Sequence, residues 1–391
     1  MAIAVLDLDM DRLPPFIAGL ERYTAALILL RLHGVPVGQA LLPVVAGRLG
    51  GDDLRLGLLE AADSAFWEAW LRSYLGERPA PIDPAQLPRA TVAVCTRDRT
   101  EDLARCLAAL MALPDDGQEV LVVDNAPATT ATRDLVARYP RVRYVREDRP
   151  GLNNARNRAL REASGAVVAF TDDDAAPDPL WLRTLLRNFD DPLVMCATGL
   201  TMALELETSA QITFQRYGAL TRGFKRIVFD NAWHDPLLGW QAGAGANMAL
   251  RRVVTDCVGP FDPALDAGTP TRAGGDGDMF RRILHAGYRI VYDPQALSWH
   301  RHRRSWEALR AQLFGYEVAG FGILTRTLFF EGDLNAIRHA KQWLGREWYQ
   351  LHQALRRRPG STPASIVLDR FRGAALGPVL YLKSYWQTRK G

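Results

Sequence analysis

What most constrains this chain is the rhythm that begins near residue 90. Apolar runs of strand length, TVAVCT, EVLVVDN, RVRYVRE and AVVAFTDD, alternate with the helical segments EDLARCLAALMAL, about 130–139, and NNARNRALREA. Apolar strands separated by helices of this length predict a parallel sheet covered on both faces. Ligands of such sheets bind outside the carboxyl ends of the strands. Thr96-Arg97-Asp98-Arg99 stand at the end of the first strand, Asp124-Asn125 at the second, and Asp172-Asp173-Asp174 at the fourth.

The aspartate triplet poses an electrostatic problem. Two carboxylates about 4 Å apart near a protein surface repel by roughly 4 kcal/mol, so three together need solvent or a cation. Side chains alternate along an extended segment, which sends Asp172 and Asp174 one way and Asp173 the other. A carboxylate pair at the mouth of a sheet suits a hard divalent ion such as Mg2+ or Mn2+. A solvated cap cluster ahead of Pro177 and Pro179 is the competing reading.

Three features bear on that choice. VAVCTRDRT holds no glycine, so neither a dinucleotide fingerprint nor a P-loop follows the first strand, and a diphosphate there would need a metal or arginines. Arg156 and Arg158 open the helix after the third strand, where a guanidinium can take a phosphate in bidentate fashion or simply face solvent. Downstream, AGGDGDMFRRILHAGYRIVYDP leads two glycines into Asp276 and Asp278, with a helical register from about Met279. A carboxylate at a helix start can be a general base or an N-cap.

The segments VAVCTRDR, EVLVVDN, RPGLNNARNRAL, AFTDDD, GAGANMALRR, GGDGDMF and ALSWHRHR, in this order, resemble the family 2 glycosyltransferases of the GT-A fold, from about Ala90 to His302. The resemblance implies an α/β fold of Rossmann-like, mostly parallel sheet flanked by helices. It implies that Thr96 and Arg97 line a nucleotide pocket, that Asp124 accepts from the base, and that Arg156 lies near nucleotide or phosphate. Asp172 would face the ribose, Asp174 and His300 would approach a divalent metal, and Asp276 would be the catalytic base of an inverting transfer. The family commonly shows Glu-Asp at the base motif, whereas Gly275 precedes Asp276 here and Asp278 follows two residues later, so both aspartates stay candidates. Gly245, within GAGANM, offers backbone to a donor sugar; Trp240 can stack on an acceptor ring or pack in the core.

The implied reaction moves a sugar from a UDP-, dTDP- or GDP-linked donor to an acceptor hydroxyl on a glycan, lipid-linked or small molecule, as in polysaccharide or glycolipid biosynthesis. Two alternatives remain: a nucleotide-sugar-binding module without turnover, and a metal-dependent nucleotidyltransferase, which would normally carry the missing glycine loop. Phosphoryl transfer through an aspartyl nucleophile fits poorly, because Ala175 and Ala176 follow the triplet.

The rest of the chain divides around this core. Residues 1–76 read as a small α+β accessory domain, with a hairpin through His33-Gly34 and a helix from about 52 to 75; four prolines mark 77–89 as a linker. The catalytic domain spans 90–305 and a basic helical region 306–391. From Leu334 onward eleven Lys and Arg oppose Glu347 and Asp369, an excess of +9 in a chain whose total is +4. Basic helices with aromatic residues can lie on an anionic membrane surface. Nucleic acid binding is not expected, because no recognised module accompanies the charge. Four scattered cysteines read as reduced thiols, and the acidic N-terminus does not read as a signal peptide, which together point to the cytoplasm, with the tail at the inner face of the membrane.

Overall fold

A computed structural model describes residues 2–217, 220–358 and 360–390. The N-terminal unit contains strands β1 (Ile3–Asp9), β2 (Phe16–Ile17), β3 (Ala25–Leu32), β4 (Val35–Pro43) and β5 (Leu49–Gly50). β3 and β4 form the hairpin, and His33 and Gly34 take positive φ of 53° and 78°, as a two-residue turn between twisted strands requires. β1, to which the sequence reading assigned no element, pairs with β3 in parallel. The helix expected from about 52 to 75 is two, α1 (Gly51–Ala61) and α2 (Ser64–Tyr74). The break lies at Asp63, whose carboxylate accepts from the N–H groups of Ala65 and Phe66 and so starts a new helix.

This unit shares a core with the larger sheet. Leu27 and Leu29 of β3 are buried with Leu200, Met202, Leu206 and Leu297, and the Ile3 N–H donates to the Leu206 carbonyl at 2.9 Å. Each such side chain contributes about 1.5–3 kcal/mol on burial, enough to fix the unit in place while the proline-rich connection runs over the surface.

The second unit runs β6 (Ala90–Thr96), α3 (Thr100–Met111), β7 (Glu119–Asn125), α4 (Ala131–Val136), β8 (Val142–Glu147), α5 (Leu152–Glu162), β9 (Val167–Asp172) and β10 (Ala175–Pro177). It continues through α6 (Trp181–Leu186), β11 (Val194–Ala203), α7 (Ser209–Tyr217), β12 (Ile227–Phe229), β13 (Asn247–Arg251), α8 (Val254–Val258), α9 (Gly275–His285) and β14 (Arg289–His300). The strand order is β10-β14-β11-β13-β9-β6-β7-β8, with β12 against β14. The half formed by β9, β6, β7 and β8 is parallel. β13 enters antiparallel between β9 and β11, so the GAGANM segment leads into a strand, not a helix. Apolar clusters cover both faces: Leu103, Leu107 and Trp181 on one, Ala155, Phe261 and Phe280 on the other. That is why the buried strands read as continuous apolar runs.

Three helices follow: α10 (Trp306–Phe330), α11 (Asn335–Leu355) and α12 (Ala364–Lys390). Arg310 pairs with Asp369, and Arg370 with Glu317 and the fully buried Glu347, which ties the three together. Tyr381 of α12 donates to Asp262 and Ser384 to the Ala264 carbonyl, so the helical region is fastened to the loop ahead of α9. Among the described residues no helix is long and apolar enough to cross a membrane.

Candidate active site

The strand ends of β6, β7 and β9 and the end of β14 converge on the aspartate triplet. β9 ends at Asp172, and Asp173 lies in the turn that follows: its carboxylate accepts from the Thr96 hydroxyl at 2.7 Å and from Arg99 at 2.6 Å. Burial pushes Asp173 up to about 7, with Arg99 and Thr96 opposing. Asp174 accepts from the second nitrogen of Arg99 at 2.8 Å and lies 3.1 Å from His300 Nε2. Against the cost of burial, His300 and Arg99 hold the Asp174 carboxyl well below the usual range, and Asp174 raises His300 in turn. Burial and then Asp174 raise Asp172, whose Oδ2 stands 3.9 Å from the same imidazole nitrogen. Arg99 thus supplies a built-in counter-charge to Asp173 and Asp174.

Asp172, Asp174 and His300 also offer one ligand atom each, all within 4.8 Å of one another. Neighbouring ligands of a small divalent ion, with bonds of about 2.1 Å, stand about 3 Å apart. The spacing and the donor set, two carboxylates and an imidazole, fit such an ion. His302 is not part of this cluster: it packs edge-on against Phe214, and burial, then His300, lowers its pKa to about 3.

A second cluster adjoins the first through Arg156. This side chain is almost fully buried on α5, donates to Asp266 Oδ2 at 2.6 Å, and lies within electrostatic range of Asp276 and Asp172. Asp276, in the first turn of α9, accepts from the Gly245 N–H at 2.7 Å and the Gly277 N–H at 2.8 Å. A Cβ on Gly245 would stand 2.6 Å from the Arg156 guanidinium and 3.1 Å from Asp276, so only glycine lets that loop approach.

The remaining candidates separate. Asp124 is buried at the end of β7, accepts from the Tyr144 hydroxyl at 2.9 Å, and keeps Oδ1 without a hydrogen-bond partner. Arg97 is half exposed beside Asp98. Trp240 is 51% exposed, with the Arg222 guanidinium over its ring, so it is not the core residue that one reading expected.

Asp278 is not brought to the site. α9 begins at Gly275, four residues before the expected register, which puts Asp276 and Asp278 about 200° apart around one helix. Asp278 is fully buried against Arg281, Arg282 and Arg326 at 3.2, 2.9 and 2.5 Å. Arg282, Arg326 and Arg281 overcome the cost of burial and hold its carboxyl well below the usual range. It ties α9 to α10.

Residues 91–259 match the model of Glycosyl transferase family 2. They form a family 2 glycosyltransferase domain. The glycosyltransferase AglE of Haloferax volcanii is 25% identical over 58% of this chain and 71% of its own length. The pre-mycofactocin glycosyltransferase of Mycobacterium tuberculosis is 28% identical over 60% of this chain, which spans about half of that relative, 47%. Among solved structures, a mannosyltransferase of Pyrobaculum calidifontis in complex with GDP-Man and Mn2+ aligns with a TM-score of 0.49 and 19% identity, over 80% of this chain and 93% of that one.

The family 2 domain carries the GT-A fold, and these relatives are named glycosyltransferases. Two residues that sequence reasoning did not single out matter in it. In sequence Arg99 is only a strand-end residue, and its partners Asp173 and Asp174 lie far along the chain. Asp266, in FDPALDAG, carried no motif at all.

Proposed function

We propose that this chain is an inverting glycosyltransferase that takes a sugar from a nucleoside diphosphate donor, UDP-, dTDP- or GDP-linked, to an acceptor hydroxyl. The observation that carries the reading is the grouping of Asp172, Asp174 and His300 beside the Arg156 and Asp276 cluster, at the carboxyl ends of the sheet. Asp172, Asp174 and His300 would hold a divalent ion, Mn2+ or Mg2+, which when bound offsets the charge that develops on the departing diphosphate. Asp124, with an unpartnered buried oxygen, is suited to accept from the nucleobase; Thr96, in register with Asp124 across β6 and β7, and Arg97 after it would line the nucleotide pocket.

Asp276 takes the acceptor hydroxyl proton as the oxygen bonds to the anomeric carbon; the bond from that carbon to the diphosphate breaks, and its electron pair leaves with the diphosphate. Attack from the opposite side inverts the stereochemistry. Gly245, whose N–H meets Asp276, would lie against the donor sugar, and the half-exposed Trp240 would stack on the acceptor. A coupled assay of nucleoside diphosphate release across a panel of nucleotide sugars tests this: release from one donor class, restored by Mn2+ or Mg2+ after chelation, is expected. Release from none, with acceptors of the glycan and lipid-phosphate classes present, contradicts it.

The acceptor reading extends to the C-terminal region. Ile337, Leu344, Trp348 and Leu355 lie on one face of α11, exposed by 42–69%, with Lys341 in the same stripe, Leu334 just ahead of the helix and Arg356, Arg357 and Arg358 after its end. An apolar stripe with basic flanks suits an anionic lipid surface and hence a lipid-linked acceptor. Co-sedimentation with phosphatidylglycerol vesicles at low salt is expected, with little binding to phosphatidylcholine. Equal recovery in the supernatant with both lipids contradicts it.

A further inference from the structure

Asp266 sits in a conformation that its side chain does not favour. Its φ is 82°, in the left-handed region where glycine is the usual occupant and Asp and Asn are the tolerated exceptions. Strain of this kind gathers at functional sites. The side chain is nearly buried, and its two oxygens accept from Arg156, from the Gly275 N–H at 3.1 Å and from the Ala267 N–H at 2.9 Å.

Gly275 is the complementary anomaly. It opens α9 without positive φ, so its backbone does not require glycine. A Cβ built there, however, would stand 2.4 Å from Asp266 Oδ2 and 2.2 Å from Asn153 Oδ1. The space that a residue-275 side chain would occupy is filled by the Asn153 amide and by the Asp266 carboxylate, which reaches in from the preceding loop. The unfavourable backbone at 266 and the missing side chain at 275 are two halves of one arrangement.

Its purpose follows from Arg156. That guanidinium is buried and must be paired, and the carboxylates that act on it are, in order of strength, Asp266, Asp276 and Asp172. Asp266 takes one end at 2.6 Å, while the other end points to where Gly245 and Asp276 meet. Deprived of Asp266, Arg156 has Asp276 as its next partner.

We propose that Asp266 is a positioning residue: it supplies, from the 262–275 loop, the carboxylate that neutralises Arg156 and so leaves Asp276 available to the acceptor hydroxyl. This rests on the reading of Asp276 as the base. The test is steady-state kinetics of Asp266→Asn, which keeps size and tolerates the left-handed backbone while removing the charge, with nucleotide binding by calorimetry and folding by circular dichroism. Turnover is expected to fall about 10- to 100-fold with donor KM and nucleotide Kd within about threefold of wild type. Asp266→Gly, which suits the backbone, serves where the first variant does not fold, with the same expectation. Turnover within threefold of wild type overturns the proposal, and so does a loss of nucleotide affinity as large as the loss of turnover. Asp276→Asn, run in parallel, separates the two claims: if it is inactive while Asp266→Asn turns over normally, only the positioning role falls; if it turns over normally, the base reading falls and this proposal with it.

Discussion

Asp276→Asn is expected to lower turnover by about 10³-fold, within the range ascribed to a positioned general base, and to leave nucleotide binding near that of wild type. The substitution is nearly isosteric. One amide oxygen can still accept from Gly245 or Gly277, so the first turn of α9 should hold, while the group that takes the proton is gone. Rapid-quench measurement of donor consumption, beside calorimetry with the nucleotide, separates chemistry from binding. Near-native turnover would move the base elsewhere. Asp278 is not available for that role, because its carboxylate is enclosed by three arginines on the far side of the helix.

Asp174→Ala is expected to abolish metal-dependent nucleotide binding. Asp174 is the most engaged member of the triplet: it faces His300 and Arg99 directly and Arg303 at 3.7 Å. Its loss removes one of three candidate ligands and frees the other two from their orientation. Loss of a residue that only orients a ligand typically costs 10- to 100-fold in metal affinity, so loss of a ligand itself should exceed about 100-fold. The variant should remain folded, because Arg99 is 34% exposed and can turn to water, and it keeps Asp102 and Asp173 as partners.

Much of this site was legible because buried parallel strands must be apolar. β6, β7 and β9 announced themselves as runs of Val, Ala and Leu, and polar residues at their ends marked the ligand side. Asp172 and Asp174 meet at His300 without Asp173, the grouping that alternation suggests, but a turn after the end of β9 produces it and not a continued strand. The pattern Asp278-Arg281-Arg282, with its three- and four-residue spacing, held a readable sign that Asp278 is an ion-pair centre.

Other features depend on contacts that a linear pattern does not carry. Arg99 meets the triplet only because β6 and β9 are neighbours in the sheet, with Thr91–Val168 and Cys95–Asp172 in register. Asp266 reaches Arg156 across the end of α5, and its signature is a backbone angle, invisible in sequence. The early start of α9 depends on Gly274, whose φ of 99° turns the chain into the helix. β1 lies parallel to β3, a pairing that adjacent strands in a hairpin scheme do not suggest.

The metal site is put to the test by calorimetric titration of the purified protein with a panel of nucleoside diphosphates, with and without Mn2+, beside Asp174→Ala. Binding of one nucleotide that requires the ion and is lost in the variant is the predicted result. Nucleotide binding that is indifferent to the ion, or that survives unchanged in folded Asp174→Ala, would contradict the assignment of Asp172, Asp174 and His300 as the metal site.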